Sequence, residues 1–245
     1  MKTKIYGHRG SKGTYPENSM LAFKKAIEAG VFGMEIDIHM TKDNQIVVFH
    51  DSTLDRTSTG SGYIKDYTLE EIRQFRIGPK FETFENYEKS WDDEIIPTLA
   101  EVLELFKQHD LEVNIELKTY EIAYPGMEEL MFQVVEESGY NPDKVIYSSF
   151  HIPTMIKLGK LNPKAKLALL TQMDYPRMMD YFEALGLEAL HPNKDQVLAN
   201  PKLWAPFAEK LRIYTVNDPA QMQMLIDMGV EAIITDYPEL ALKLV

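Results

Sequence analysis

The chain of 245 residues contains no cysteine. Disulfide bonds, thiolate metal ligands and a cysteine nucleophile are therefore excluded within it. It also lacks any stretch of ~18 apolar residues, so we expect no membrane-spanning segment. Positive charge is scarce, because 26 lysines and arginines oppose 38 aspartates and glutamates, which gives a net charge of -12. This excess of negative charge argues against a nucleic-acid partner, whose binding requires a basic surface that releases counterions.

The N-terminus lacks the features of a secretion signal. Residues 1–4 lead directly into a predicted strand, with no apolar segment and no small-residue cleavage site. We therefore expect a cytoplasmic protein whose partner is a small molecule, and the oligomeric state is left open. The net charge repels an anionic substrate at long range, so attraction has to come from groups in the site itself.

Residues able to carry chemistry cluster near the N-terminus. The cluster comprises His8-Arg9-Gly10, Pro16-Glu17-Asn18-Ser19, Glu35-Ile36-Asp37, His50-Asp51 and Arg56. Two histidines can divide proton transfer between them, two neighbouring carboxylates can hold a divalent cation, and an arginine suits a phosphate oxygen. Together these groups predict metal-assisted phosphoryl chemistry.

The spacing of the acidic residues predicts that their side chains meet. Residues two apart in a strand point to the same side, so Glu35 and Asp37 present both carboxylates in one direction. Glu116 and Lys118 repeat this spacing at the end of a second apolar strand. Three buried carboxylates are costly unless they are paired or bound to a metal, so we expect a counter-cation. The alternative is a salt-bridge network of these acids with Arg9 and Lys118.

Predicted strands and helices alternate along the chain. Eight apolar runs are predicted strands, at 3–7, 34–38, 113–117, 145–148, 166–170, 188–190, 212–216 and 232–234. Segments of helical periodicity lie at 18–30, 98–109, 126–139, 152–161, 175–186, 201–210, 219–229 and 238–244. Eight such units favour an α/β fold with a closed (β/α)8 TIM barrel over an open doubly wound sheet. No glycine-rich phosphate loop follows the first strand, so a nucleotide-binding fold has no support.

The motifs resemble those of the glycerophosphodiester phosphodiesterase family, in its bacterial cytosolic type. Segments that match in the family's order are His8-Arg9-Gly10, Pro16-Glu17-Asn18-Ser19, Glu35-Ile36-Asp37, Thr41-Lys42-Asp43, Val47-Val48-Phe49-His50-Asp51, Leu54-Asp55-Arg56-Thr57, Ile96-Pro97-Thr98-Leu99, Asn114-Ile115-Glu116-Leu117-Lys118, Ser148-Ser149-Phe150, Thr215-Val216-Asn217 and Ile234-Thr235-Asp236-Tyr237-Pro238. One departure is Tyr214, where the family often has tryptophan. A tyrosine keeps an aromatic wall and adds a hydroxyl, so we expect an effect on substrate preference more than on activity.

The resemblance implies a reaction and a cofactor. The reaction is metal-dependent hydrolysis of glycerophosphodiesters, such as glycerophosphocholine and glycerophosphoethanolamine, to sn-glycerol 3-phosphate and an alcohol. Glu35, Asp37 and Glu116 are the expected ligands of one divalent cation. Because these ligands offer only oxygen, Ca²⁺ and Mg²⁺ both stay open.

The resemblance also implies roles for the basic residues. His8 is the expected general base and His50 the expected general acid, although the sequence alone does not distinguish these roles. Arg9 and Lys118 are expected to bind phosphate oxygens. The attacking oxygen belongs either to water or to the substrate's own glycerol hydroxyl.

One segment interrupts the alternation of strands and helices. From Asp51 to about Glu94 the sequence is polar and rich in turn residues. Unstructured loops of this length are uncommon in compact domains unless they are functional. With the family resemblance, we predict a single domain over 1–245 in which residues 52–94 form an inserted capping subdomain after the second strand. The alternative is a mobile surface excursion without a catalytic part. The aromatic residues of the segment either line a substrate cleft or form a small core of their own.

Several other polar residues carry weaker signals. Four of them are expected just after predicted strands, where turn and cap chemistry is at least as plausible as substrate contact: Gln172, His191, Asn217 and Asp236. Three histidines have no partner pattern and are expected to be structural or solvated: His39, His109 and His151.

Rival functions differ in substrate or in kind. A lysophospholipase D or a phosphatidylinositol-phospholipase-C-like enzyme would share two histidines but act on membrane lipid, and the chain shows no lysine-rich amphipathic anchor for a bilayer. A barrel that only binds glycerol phosphate would be expected to lack a histidine or a metal ligand, and all are present.

Overall fold

The computed structural model describes residues 2–172 and 177–245. Its strands are β1 Lys4–His8, β2 Gly33–Met40, β3 Ile46–Val48, β4 Glu112–Leu117, β5 Val145–Ser149, β6 Lys166–Thr171, β7 Ala189–Pro192, β8 Arg212–Ile213 and β9 Ala232–Thr235. Eight of them run parallel in the order β7-β6-β5-β4-β2-β1-β9-β8. Single parallel bridges from Leu190 to Leu211 and from Asn193 to Tyr214 join the two ends of this order. The predicted (β/α)8 barrel is therefore confirmed, with β8 shorter than the predicted 212–216.

The antiparallel strand β3 is absent from the prediction. It pairs with the end of β2, where Ile46 lies opposite Met40. Three residues are too few to show the alternation that marks a longer strand. The intervening turn includes Asn44 at a φ of 59°, in the left-handed region that asparagine tolerates. This hairpin returns the chain to the mouth of the barrel and delivers His50 there.

Most of the helices lie where the periodicity predicts them. Their bounds are α1 Met20–Ala29, α2 Leu69–Ile72, α3 Leu99–Lys107, α4 Met127–Glu137, α5 Ile152–Leu161, α6 Met178–Ala184, α7 Lys194–Ala199, α8 Pro201–Trp204, α9 Pro219–Asp227 and α10 Pro238–Ala241. The short helices α2 and α7 are not predicted. The predicted helix 201–210 ends early as α8 and continues as a 3₁₀ turn, because Pro206 cannot donate a helical hydrogen bond.

The predicted helix 175–186 begins at residues that lie outside the described part of the chain, and α6 lies within the remainder. Across the described residues, no helix combines the length and the apolar character needed to cross a membrane.

The helix α3 shows how the sequence directs packing. Thr98 caps its N-terminus, and Glu101 completes a capping box with it. Leu99, Val102 and Phe106 recur at helical spacing and are fully buried against the barrel. Each such side chain contributes roughly 1.5–3 kcal/mol through removal of apolar surface from water. The layer between helices and barrel is therefore the main hydrophobic core.

The inside of the barrel is closed at the end where the strands begin. Arg212 is almost fully buried there and binds Glu112 at 3.0 Å and Glu231 at 2.8 Å. Lys4 lies 3.3 Å from Glu231, and the Tyr6 hydroxyl contacts Glu112. We call these five residues the basal network. The opening of the barrel is consequently at the other end, where the strands finish.

Residues 52–94 fold as a packed segment rather than as an unstructured loop. The segment contains α2 and short 3₁₀ helices, and it builds a core around Leu54, Ile72 and Trp91 that also includes Phe49. Trp91 packs edge-on against Tyr87, with ring centroids 5.6 Å apart. Six aromatic side chains of this segment lie in or pack against this core, whereas Tyr63 is exposed.

Candidate active site

Three carboxylates meet at the open end of the barrel. Glu35 and Asp37 alternate along β2 and point inward, and β4 runs parallel beside it with Glu116 in register with Asp37. One oxygen from each of the three carboxylates lies within 4.8 Å of the others, and all three residues are buried. The spacing predicted from strand periodicity thus brings the three acids together.

The two predicted phosphate-binding cations contact these acids directly. Lys118 Nζ lies 2.7 Å from Glu116 Oε1 and 3.1 Å from Asp37 Oδ1. Arg9 Nε lies 3.0 Å from Asp37 Oδ2, and Arg9 Nη1 lies 2.8 Å from Glu17 Oε1. Burial opposes the charge on Asp37, but Lys118 and Arg9 together hold its pKa well below the usual range. The salt-bridge network considered as an alternative to a metal is therefore present.

This network does not satisfy Glu35. Its Oε2 accepts a hydrogen bond from the Arg9 backbone N–H at 3.1 Å, whereas Oε1 has no hydrogen-bond partner among the described residues. Burial raises the pKa of Glu35 well above its usual value, and the charges of Asp37 and Glu116 raise it further. Three acids face two cations here, so a divalent cation bound through oxygen ligands fits both the charge and the donor set.

His8 is oriented by residues from the far end of the chain. Its Nδ1 lies 2.5 Å from Asp236 Oδ1, and Asn217 donates to the other Asp236 oxygen at 2.7 Å. His8 Nε2 lies 3.8 Å from Glu35 Oε2 and so faces the carboxylates. Burial lowers the pKa of His8 to about 4, and the neighbouring Arg9 contributes to this lowering. A neutral ring that donates from Nδ1 presents Nε2 as an acceptor.

His50 has a separate support. Its Nδ1 lies 2.6 Å from Asp51 Oδ1, and Arg56 Nε lies 2.6 Å from Asp51 Oδ2. Arg56 also donates to both Glu17 oxygens, at 2.8 and 2.9 Å. Because Glu17 binds Arg9 as well, one chain of ion pairs connects the two sides of the site. Arg56, for which a phosphate contact was considered, instead holds Asp51 and Glu17.

His39 has a structural role, and solvation is excluded because the ring is buried. Its Nδ1 lies 2.8 Å from the Tyr124 hydroxyl, and its Nε2 lies 3.0 Å from the His50 carbonyl oxygen. The ring therefore anchors the backbone that carries His50. His191 also departs from expectation, because it lies inside β7 and is fully buried rather than in a turn after the strand.

The turn after β1 explains why His8 and Arg9 are followed by glycine. Arg9 has a φ of 51° and Gly10 a φ of 86°, both in the left-handed region. A Cβ added to Gly10 would lie 2.7 Å from the backbone carbon of Ala22 in α1. Only glycine allows this close approach, so α1 fixes the position of the turn. Asn18 also has a positive φ, and its Nδ2 donates to Asp37 at 2.9 Å.

Six of the seven predicted site residues line one cavity of about 120 Å³: His8, Arg9, Glu35, His50, Glu116 and Lys118. Asp37 lies beneath them, bound to Arg9 and Lys118. Phe150, Leu170 and Tyr214 form an apolar part of the wall, and the exposed Gln172 lies at its edge. Glu17, Asp51 and Asp236 stand in the quoted motifs, but sequence spacing alone did not pair them with a histidine or an arginine.

The comparisons with known proteins agree with this geometry. Residues 8–240 match the model of the glycerophosphoryl diester phosphodiesterase family. The chain belongs to this family. Family members from Caldanaerobacter subterraneus subsp. tengcongensis and Bacillus altitudinis, both named glycerophosphodiester phosphodiesterase, are each 39% identical to it. These alignments cover 100% and 99% of this chain and 98% of each relative.

Solved structures from the family share the fold. A phosphodiesterase from Oleispira antarctica in complex with the product sn-glycerol-3-phosphate has a TM-score of 0.85 at 26% identity, and the match covers 99% of this chain and 96% of that one. The family member from Thermotoga maritima has a TM-score of 0.77 at 27% identity, with coverage of 100% and 99%. The expected enzyme class, a phosphoric diester hydrolase acting on glycerophosphodiesters, is thereby confirmed.

Proposed function

We propose that the enzyme hydrolyses water-soluble glycerophosphodiesters, such as glycerophosphocholine and glycerophosphoethanolamine, to sn-glycerol 3-phosphate and an alcohol. The observation that carries this proposal is the pairing of each histidine with its own aspartate, His8 with Asp236 and His50 with Asp51, around one buried carboxylate cluster. The Oleispira antarctica relative, which binds sn-glycerol-3-phosphate, supports the choice of product.

Glu35, Asp37 and Glu116 would hold one divalent cation, Ca²⁺ or Mg²⁺. Their oxygens are close together, and Glu35 Oε1 has no hydrogen-bond partner in the described part of the chain. When bound, such a cation neutralises charge on a phosphoryl oxygen of the substrate. The donor set contains only oxygen, which suits hard cations better than soft ones.

The two histidines divide the proton transfer. His8, neutral and held by Asp236, accepts a proton at Nε2 from the attacking oxygen of water or of the substrate's glycerol hydroxyl. His50, held at Nδ1 by Asp51, donates from Nε2 to the departing alkoxide, which is too basic to leave unprotonated. Each ring is held by its own carboxylate, and this arrangement suits two opposite roles.

Arg9 and Lys118 would bind the remaining phosphate oxygens. Lys118 donates to two acids, and an ammonium has three donors. Arg9 uses Nε and Nη1 for acids, which leaves further N–H groups of its guanidinium. Both side chains line the cavity, where these donors would meet the phosphate oxygens.

Residues 52–94 would cap the barrel mouth within a single domain. Arg56 of this segment binds Asp51 beside His50, and Glu17 beside Arg9. In this position the segment would close one side of the site and limit the entry of water.

The direct test measures release of sn-glycerol 3-phosphate from glycerophosphocholine and glycerophosphoethanolamine, with and without added Ca²⁺ or Mg²⁺. Lysophosphatidylcholine and phosphatidylinositol vesicles serve as competing substrates. We expect turnover of the soluble diesters only. Faster turnover of either lipid would replace this proposal by a lysophospholipase D or a phospholipase-C-like activity.

A further inference from the structure

A second cavity lies beside the catalytic one. Its volume is about 260 Å³, and its wall includes His50, Asp51, Thr53, Lys118, Tyr120 and Glu121. His50 and Lys118 line the first cavity as well. These two side chains are therefore a wall that the two cavities share.

The shared wall suggests how the two halves of a bound phosphodiester are placed. Its phosphate lies between two ester oxygens, so a phosphate held at Lys118 places one alcohol on each side. His50 faces both cavities, whereas His8 and Glu35 line the first. Resting on the proposed function, in which His50 donates to the departing oxygen, this arrangement puts the departing alcohol in the second cavity and the glycerol phosphate in the first.

The charges that face the second cavity favour a cation. Asp51 is paired with His50 and Arg56, and Lys118 is paired with Asp37 and Glu116. Besides the buried His39 and Tyr120 itself, the remaining titratable group on the wall is Glu121, which is exposed. Glu121 thus adds a negative charge that no lysine or arginine among the described residues neutralises by a salt bridge.

Tyr120 supplies the second element of a cation site. Its side chain is 50% exposed, and its ring stands edge-on to Phe150 with centroids 6.0 Å apart. Phe150 lines the first cavity and Tyr120 lines the second. Their contact therefore places the tyrosine ring at the boundary between the two cavities. An aromatic face beside a carboxylate is the combination that binds ammonium and quaternary ammonium groups.

We propose that the second cavity is the subsite of the departing alcohol, and that Tyr120 and Glu121 select cationic head groups such as choline and ethanolamine. Uncharged head groups such as glycerol and inositol can enter but gain neither the cation–π contact nor the ion pair. The enzyme is therefore selective for one class of glycerophosphodiester.

The test compares kcat/KM for glycerophosphocholine with kcat/KM for glycerophosphoglycerol. Glu121→Gln keeps the shape and removes the charge, and Tyr120→Leu removes the aromatic face but keeps an apolar side chain. We expect each variant to lower the ratio of the two values by about 2–5-fold, chiefly through a higher KM for glycerophosphocholine. Added salt should lower the ratio for the parent enzyme more than for Glu121→Gln, since salt screens exposed charges.

Glu104→Gln is the matched control, because Glu104 is an exposed acid on α3 and its loss changes the net charge equally. We expect this variant to keep the parent's ratio. An active parent whose ratio is unmoved by both Tyr120→Leu and Glu121→Gln overturns this inference alone. A parent that hydrolyses no glycerophosphodiester overturns the proposed function and this inference with it.

Discussion

The two ends of the barrel both bury acidic residues with basic partners, but within the described part of the chain an acid stays unsatisfied only at the open end. In the basal network, Glu112 and Glu231 share Arg212 and Lys4, so two acids meet two bases. At the open end, Glu35, Asp37 and Glu116 meet only Arg9 and Lys118, and Glu35 Oε1 has no partner among the described residues. A closed network of ion pairs holds structure, whereas an incomplete one can take a ligand.

The largest expected effect separates the open end from the rest of the molecule. His8→Ala and His50→Ala should each lower kcat by on the order of 10²–10⁴, because each removes one proton transfer. Circular dichroism and thermal unfolding should match those of the parent. An aryl phosphodiester, whose leaving group needs little protonation, should restore His50→Ala but not His8→Ala. Equal restoration of both variants, or of neither, would contradict the division of roles.

The next prediction breaks the basal network. Arg212→Met leaves Glu112 and Glu231 with Lys4 alone, and uncompensated buried charge of this kind costs about 3–5 kcal/mol of unfolding free energy. Urea unfolding measures the loss. The residual kcat of the folded fraction should stay close to the parent value, since the network lies at the opposite end of the barrel. A large fall in kcat without loss of stability would show that the two ends are coupled.

Removal of the metal sharpens the same contrast. Excess EDTA should lower activity by about 10²-fold or more, because a bound cation supplies several kcal/mol of charge stabilisation. Ca²⁺ or Mg²⁺ should restore it, and should raise the melting temperature of the parent but not of Glu35→Gln. Glu112→Gln is the control. The substitution itself should lower the melting temperature, but added cation should still raise the melting temperature of this variant. Full turnover after verified removal of metal would exclude the metal site.

The aspartates behind the histidines should have smaller effects. Asp236→Asn and Asp51→Asn keep the side-chain shape but weaken the hold on the Nδ1 proton of His8 and His50. We expect kcat to fall on the order of 10–100-fold, as is usual for residues that orient a functional group. The pH dependence of kcat/KM should shift in Asp236→Asn, and a purely structural role would leave that profile unmoved.

The smallest effect concerns pH and the barrel interior. Burial lowers the pKa of His191 well below its usual value, with Arg212 adding to the shift, so the native state keeps the ring neutral while the unfolded state protonates it below about 6.5. The unfolding free energy should therefore fall as the pH drops from about 6.5. His191→Phe should reduce this slope by up to ~1.4 kcal/mol per pH unit. Urea titrations at several pH values measure it, and an unchanged slope would be contrary to this account.

The parts of the site that could be predicted from the sequence depend on local geometry. Glu35 and Asp37 share a face because the strand period is two, and the parallel register then brings Glu116 beside Asp37. The pairing of Asp236 with His8 depends on the closure of the barrel, which brings β9 next to β1. No spacing rule encodes that contact, so the sequence suggested turn chemistry or substrate contact for Asp236 but not its pairing with His8.

Contacts between segments that are distant in the chain limit prediction in the same way. Arg56 and Glu17 are far apart in the chain and meet only because residues 52–94 fold back onto the barrel. The short elements β3, α2 and α7 escape prediction since none of them contains enough residues to show a period. The long elements, by contrast, could be predicted because burial on one face repeats over several turns or alternations.

The tight contact between Gly10 and Ala22 makes the position of His8 and Arg9 depend on helix α1. Ala22 is fully buried and lies next to Gly10, so we expect a larger side chain at position 22 to press on the Gly10 backbone and displace His8 and Arg9. Ala22 is not one of the residues proposed to bind the substrate or the metal, yet a larger residue there should lower turnover. A mutational scan of this enzyme would therefore mark a buried alanine of an outer helix as sensitive, while exposed positions on the same helix, such as Lys24, would tolerate change.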